Sequence, residues 1–193
     1  MKRSVSAVFL AALCLAGCNT QTHDPLIGAA RDGDTQTLKA LLGQGADPNR
    51  RWGVNNWTPL MHAIHKRQKG SVEVLLAAGA DMSARTGDGM TALMMAAGYG
   101  YADIVQVLLD HGADAHAQTP GGDNALTLAL GGMPDLDKFT VGKCQTETVV
   151  ALLKKAPDLR LNDSAYARAA RLAARAGGCK EILSMVNSPL AGQ

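Results

Sequence analysis

TALMMAAGYGYADIVQVLLDHGAD, Thr91 to Asp114, holds two short helical patterns separated by one glycine turn and closed by another glycine. Leu93 with Ala96 and Ala97 makes a small apolar face, and Ile104, Val105, Leu108 and Leu109 recur at helical spacing. Thr91 suits a helix-capping position, Gly98 and Gly100 flank the turn, and Gly112 suits the positive φ that ends a helix. Isolated helices below about 12 residues are marginal in water, so neither segment stands alone. The stretch needs neighbours built like itself.

Those neighbours are present. Gly-Ala-Asp occurs at 45–47, 79–81 and 112–114, and paired leucines precede it as Leu41-Leu42, Leu75-Leu76 and Leu108-Leu109. The starts align too, as Asp24-Pro25-Leu26, Thr58-Pro59-Leu60, Thr91-Ala92-Leu93 and Asn124-Ala125-Leu126. A fixed period of this length marks a solenoid, in which each unit is stable only when stacked. The pattern resembles the ankyrin repeat, with its TPLHxA start, helix pair and GAD entry to a hairpin. The resemblance implies an all-α ankyrin-repeat solenoid of about five helix-pair repeats with short β-hairpin-like loops.

Departures from the period carry information. Repeat two places His62 one position beyond the family's usual histidine, and basic residues stand where a glycine turn is expected. One extra residue is expected within 66–71, which makes that turn irregular. Repeat four carries an insertion of about eleven residues within 131–143, GGMPDLDKFTVGK, which two glycines and Pro134 set off from the first helix. In ankyrin proteins this joint lies opposite the hairpins, so the insertion is expected to project there. The last repeat is the helical run 165–186, whose Arg168, Arg171 and Arg175 give a polar end.

The N-terminus reads differently. Lys2 and Arg3 precede an apolar stretch from Val5 to Leu15, then Leu15-Ala16-Gly17-Cys18 and a polar run. That is the layout of an export signal, and about eleven apolar residues are too few to span a bilayer permanently. LAGC resembles the bacterial lipobox, which implies a signal over 1–17, a lipidated Cys18 with a short tether over 18–23, and a repeat domain over 24–193. Asn19, where a retained lipoprotein often has Asp, implies the periplasmic face of the outer membrane. Several acyl chains on one cysteine anchor firmly where one does not.

The net charge of +2 comes from 19 basic and 17 acidic residues, and Lys2 and Arg3 account for the whole excess. Nothing in that balance calls for nucleic acid. Charge is instead blocked: basic residues alone between Arg50 and Lys69, mostly acids from Asp81 to Asp137, and mostly bases from Lys138 onward. Cys144 and Cys179 remain once the signal and anchor cysteines are set aside. Alignment to the repeat puts Cys144 at the turn of repeat four and Cys179 two positions further along in repeat five, a candidate disulfide if the Cα atoms come within about 7 Å.

No nucleophile stands beside a base, and no phosphate, dinucleotide or zinc fingerprint appears. His62, His65, His111 and His116 lack the further ligands a metal needs. Asp47, Asp81 and Asp114 recur once per repeat and are expected to bond backbone N–H groups in turns. The expected function is therefore non-enzymatic recognition of an envelope protein, without cofactor, metal or small-molecule substrate. The alternatives are a scaffold or a toxin-neutralising immunity-type protein, and, less favoured, a metal-binding or hydrolytic one. Candidate contacts are Arg50, Arg51, Trp52, Asn55, Arg85, Asp88 and His116 near the hairpin tips, with an exposed Trp52 as anchor and Trp57 packed. Met61, Met94, Met95 and Tyr99 are candidates for the groove nearby, where methionines are more often core.

Overall fold

The computed structural model describes residues 24–53, 55–132, 145–161, 165–176 and 179–187. Ten α-helices lie among them: α1 Pro25–Asp32, α2 Thr35–Gly43, α3 Pro59–His65, α4 Lys69–Ala77, α5 Ala92–Tyr99, α6 Ala102–Asp110, α7 Ala125–Gly131, α8 Thr146–Lys155, α9 Ala165–Ala176 and α10 Lys180–Asn187. They form five antiparallel pairs. The first helices of the pairs stack in series as an inner layer, α1 on α3, α3 on α5, α5 on α7 and α7 on α9, while α2, α4, α6 and α8 form an outer layer.

Each inner helix from α1 to α7 begins with a buried polar cap. Asp24 accepts from the N–H groups of Leu26 and Ile27, Thr58 from Met61, Thr91 from Met94 and Asn124 from Thr127. A buried helix start leaves N–H donors without partners, and these side chains satisfy one or two of them inside the stack. Beyond the caps the inner faces are small and apolar. Ala30, Ala63, Ala96, Ala97 and Ala129 are fully buried, and larger Leu60, Ile64, Leu93, Ile104, Leu108 and Leu126 fill the space between layers. Met61, Met94 and Met95 are core residues.

The turn of repeat two is regular, contrary to the expectation from its basic residues. Arg67 adopts φ 57, the left-handed conformation that Gly33 (φ 82) and Gly100 (φ 76) take at the equivalent places. The bonds that close it are those found at Gly100, Arg67 N–H to Ile64 O at 2.8 Å and Gln68 N–H to Ala63 O at 2.8 Å. A side chain in that conformation costs about 1 kcal/mol relative to glycine. The extra residue also lies elsewhere. The later hairpin tips close over four residues, with Thr86 N–H to Met90 O and Thr119 N–H to Asp123 O. The first closes over five, with Trp52 N–H to Trp57 O at 3.1 Å in an isolated antiparallel bridge. Repeat one thus holds the additional residue at its tip.

In repeat four, α8 begins 44 residues after α6, matching one repeat plus eleven. Most of the insertion lies outside the described residues, as do Cys18 and Cys144.

Gly89 sits at φ 81, and a Cβ there would lie 2.4 Å from Cδ of Pro120 in the next hairpin. Gly89→Ala is expected to lower unfolding free energy by about 1–3 kcal/mol in urea titration. The matched control Gly45→Ala, where φ is 91 but no atom lies within 4 Å, is expected to lose less.

Candidate partner-binding surface

The hairpin edge is built on aspartates. Asp47 accepts from Asn49 N–H, Asp81 from Ser83 N–H and Asp114 from His116 N–H, each at 2.8 Å. These are the turn-forming roles expected from the sequence. Asp81 also accepts from the Ser83 hydroxyl, which, more than any other contact, holds its carboxyl below the usual range.

Two arginines then tie one hairpin to the next. Arg51 Nη1 donates to Asn56 O at 3.0 Å within its own hairpin and to Arg85 O at 2.9 Å in the following one. Arg85 repeats the arrangement, donating to Gly89 O and to Gln118 O, both at 2.7 Å. Residue 118 is glutamine, so the series of guanidinium clamps stops there. Asn49 adds a second tie, donating to Gly79 O at 3.3 Å and accepting from Asp81 N–H at 2.7 Å. Charged donors on carbonyls make strong hydrogen bonds and fix the spacing of neighbouring tips.

The geometry gives several of the candidate contacts a structural role of their own. Arg51 and Arg85 hold the hairpin edge together. Arg50 pairs through Nε with Asp24 Oδ2 at 3.0 Å, where the Asp24 side chain is only 4% exposed, and its guanidinium lies 5.6 Å from the Trp52 ring centroid. Trp52 is half-buried and bridged by its backbone to Trp57, which replaces the expectation of an exposed anchor. Asn55, Asp88 and His116 are exposed as expected. His116 Nε2 lies 3.5 Å from Asp158 Oδ1. Arg50 pairs with Asp24 within repeat one, and the charge blocks are matched across repeats by Arg67 with Asp103 at 3.7 Å and Lys155 with Asp110 at 2.6 Å.

An aromatic run crosses the inner layer. Trp57 meets His62 and His65 edge to face at 5.5 and 5.4 Å, His65 meets Tyr99 at 5.7 Å, and Tyr99 stacks on Tyr101 at 5.5 Å. Arg67 covers the Tyr101 ring at 5.1 Å. His62 has its Nε2 buried without a hydrogen-bond partner. Burial, above all, pushes its pKa below the ordinary 6.5, with His65 and Arg31 adding to the effect against a backbone contact from Trp52. His111 instead bonds Val107 O through Nδ1 at 2.9 Å. Among the described residues, no group of three or more His, Cys, Asp or Glu could hold a metal ion, and no helix is long and apolar enough to cross a membrane.

Two measurements check this geometry. Arg85→Ala leaves two carbonyls without their donor and is expected to cost about 1–2 kcal/mol in chemical unfolding, with Arg85→Lys recovering only part. For His62 the folded pKa is depressed, so its neutral form stabilises the fold above pH 6.5, and that contribution is lost as pH falls below 6.5 toward the folded value. The unfolding midpoint should therefore drop between pH 7.5 and pH 5. His62→Met, which places the residue found at Met95 in repeat three, should flatten that slope; an unchanged slope would assign it to other groups.

Comparison with known proteins agrees with this geometry. A family model described as "Ankyrin repeats (3 copies)" matches residues 4–86, and one described as "Ankyrin repeats (many copies)" matches residues 75–129. The chain is 40% identical over 75 residues to the mitochondrial disaggregase of Bos taurus, covering 39% of this chain and 11% of that protein. It is 38% identical over 68 residues to ankyrin repeat and SAM domain-containing protein 6 of Rattus norvegicus, covering 35% and 8%. It is 39% identical over 82 residues to the ARF GTPase-activating protein Git of Drosophila melanogaster, covering 42% and 11%. The chain thus spans about a tenth of the length of these relatives.

Proposed function

Because the chain is an ankyrin-repeat solenoid, a protein-interaction module, we propose that it recognises another protein in a bacterial envelope, without catalysis, and binds or regulates that partner. The observation that carries this reading is the hairpin edge. Its backbone is pinned from repeat to repeat by Arg51, Arg85 and Asn49, while the exposed residues change between equivalent places, from Asn55 to Asp88 to Gly121 at the tips and from Ser83 to His116 beside them. A rigid edge with variable side chains suits recognition, because ordering it costs little on binding.

The tether belongs to the same proposal. Lys2, Arg3, the apolar stretch to Leu15 and the LAGC run support cleavage before Cys18 and lipidation of its thiol, with Asn19 favouring the periplasmic face of the outer membrane. Five residues separate Cys18 from Asp24 and reach at most about 18 Å, which would keep repeat one close to the bilayer. Cys179 is buried, and a disulfide there would fit an oxidising compartment. Cys144 is its proposed partner.

Growth with a labelled fatty acid, followed by membrane fractionation, tests the anchor. Label should enter the chain and sediment with outer membrane, and Cys18→Ser should abolish both. A soluble, unlabelled wild-type product would overturn the tether. For recognition, Asn55→Arg with Asp88→Arg should remove specific proteins from those captured by the wild-type chain; an unchanged set would count against the hairpin edge as the recognition surface.

A further inference from the structure

Asn49, Ser83 and His116 hold one place in three successive hairpins, each two residues after a turn aspartate. What they reach in the next repeat differs. Asn49 sets its carboxamide against the following hairpin entry, donating from Nδ2 to Gly79 O at 3.3 Å and accepting at Oδ1 from Asp81 N–H at 2.7 Å. His116 reaches Asp158 in the repeat beyond its own. Ser83 stays within its own turn, where its hydroxyl donates to Asp81 Oδ1 at 2.6 Å.

The two groups that Asn49 ties in repeat two have counterparts in repeat three, Gly112 O and Asp114 N–H. Neither has a hydrogen-bond partner among the described residues. A serine side chain stops one bond short of the place where an asparagine presents its oxygen and nitrogen, so Ser83 cannot bridge to them as Asn49 does.

That shortfall coincides with a cavity. Between the two hairpins lies a space of about 390 Å³, lined by Asp81 and Ser83 from one repeat, Gly112 and Asp114 from the next, and the buried Thr91 and Leu93. Its size falls within the range of small-ligand sites, and it mixes apolar wall with a few polar groups as such sites do. Arg85 also borders it, with its guanidinium engaged by Gly89 O and Gln118 O.

The polar groups select what enters. A carbonyl oxygen calls for a donor and a neighbouring N–H for an acceptor, the same pair that Asn49 satisfies one repeat earlier. A carboxamide supplies both, whereas an ammonium supplies donors alone and a carboxylate acceptors alone. The carboxylates of Asp81 and Asp114, each accepting from its own turn, oppose an anion further.

We propose that this cavity receives an asparagine side chain from a partner protein, which makes with Gly112 O and Asp114 N–H the two bonds that Asn49 makes with Gly79 O and Asp81 N–H. The partner then supplies between repeats two and three the tie that the chain supplies for itself between repeats one and two. The proposal gives a chemistry to the hairpin-edge recognition proposed above, and rests on that reading for the source of the asparagine.

Titration of the isotope-labelled full-length chain with N-acetylasparagine amide, followed by NMR at the backbone amides, tests the cavity. The Asp114 N–H signal should move saturably, with a dissociation constant of about 1–10 mM for a ligand of this size. The leucine, aspartate and lysine counterparts should bind several-fold more weakly, as should free asparagine, whose own carboxylate meets Asp81 and Asp114. Ser83→Asn, which places the chain's own carboxamide in the cavity, should abolish the shift while keeping a dispersed spectrum. If that variant does not fold, Ser83→Gln takes its place with the same expectation. No saturable shift at Asp114, equal binding of any blocked counterpart, or binding retained by a folded Ser83 variant would overturn the proposal. Free asparagine binding as tightly as the blocked residue would overturn the protein source. Each of these failures leaves the hairpin tips standing as a recognition surface, because capture by the Asn55→Arg, Asp88→Arg variant reads the tips apart from the cavity.

Discussion

No helix among the described residues exceeds 12 residues, and most have seven to nine. Helices this short do not hold themselves together in water, so every other feature answers the need to stack them. Alanine at Ala30, Ala63, Ala96 and Ala129 lets the inner helices come close, and buried caps at Asp24, Thr58, Thr91 and Asn124 satisfy the donors that close packing hides. A larger inner face would force the layers apart, and an uncapped start would leave polar groups unpaired.

The same demand reaches the edge of the molecule. With a single two-residue bridge and no extended strands among the described residues, the hairpins have no sheet to register them. Side chains set the register instead, as Arg51, Arg85 and Asn49 bond backbone groups of the next repeat. Salt bridges between repeats do likewise for the charge blocks. A basic stretch and an acidic one thus become matched neighbours, and the surface is less polarised than a linear reading suggests.

Much of this is legible in the sequence, because a repeat announces its own period. The spacing of Gly-Ala-Asp and of the paired leucines locates the first three helix pairs, the aligned start at Asn124 and the helical run 165–186 locate the last two, and the turn role of Asp47, Asp81 and Asp114 follows from recurrence once per repeat. What escapes is contact between repeats. Arg51 and Arg85 stand 34 residues apart, one repeat length, and that coincidence is the available signal that they act on the framework. Trp52 misleads because flanking Arg51 and Gly53 suggest solvent, whereas the hairpin closure it shares with Thr86 and Thr119 bonds its N–H to Trp57 O and leaves it half-buried. Arg67 misleads because a non-glycine residue in a left-handed turn is uncommon, and only the tertiary context makes it adopt that conformation.

Stability therefore belongs to the stack and not to any repeat within it. Native-state hydrogen exchange measures this directly at the amides of His62, Met95 and Leu128, each bonded to the cap residue of its own inner helix. If the stack opens as one unit, all three exchange with a common free energy equal to that of global unfolding. Three distinct values, with α3, α5 and α7 each opening on its own, would contradict it.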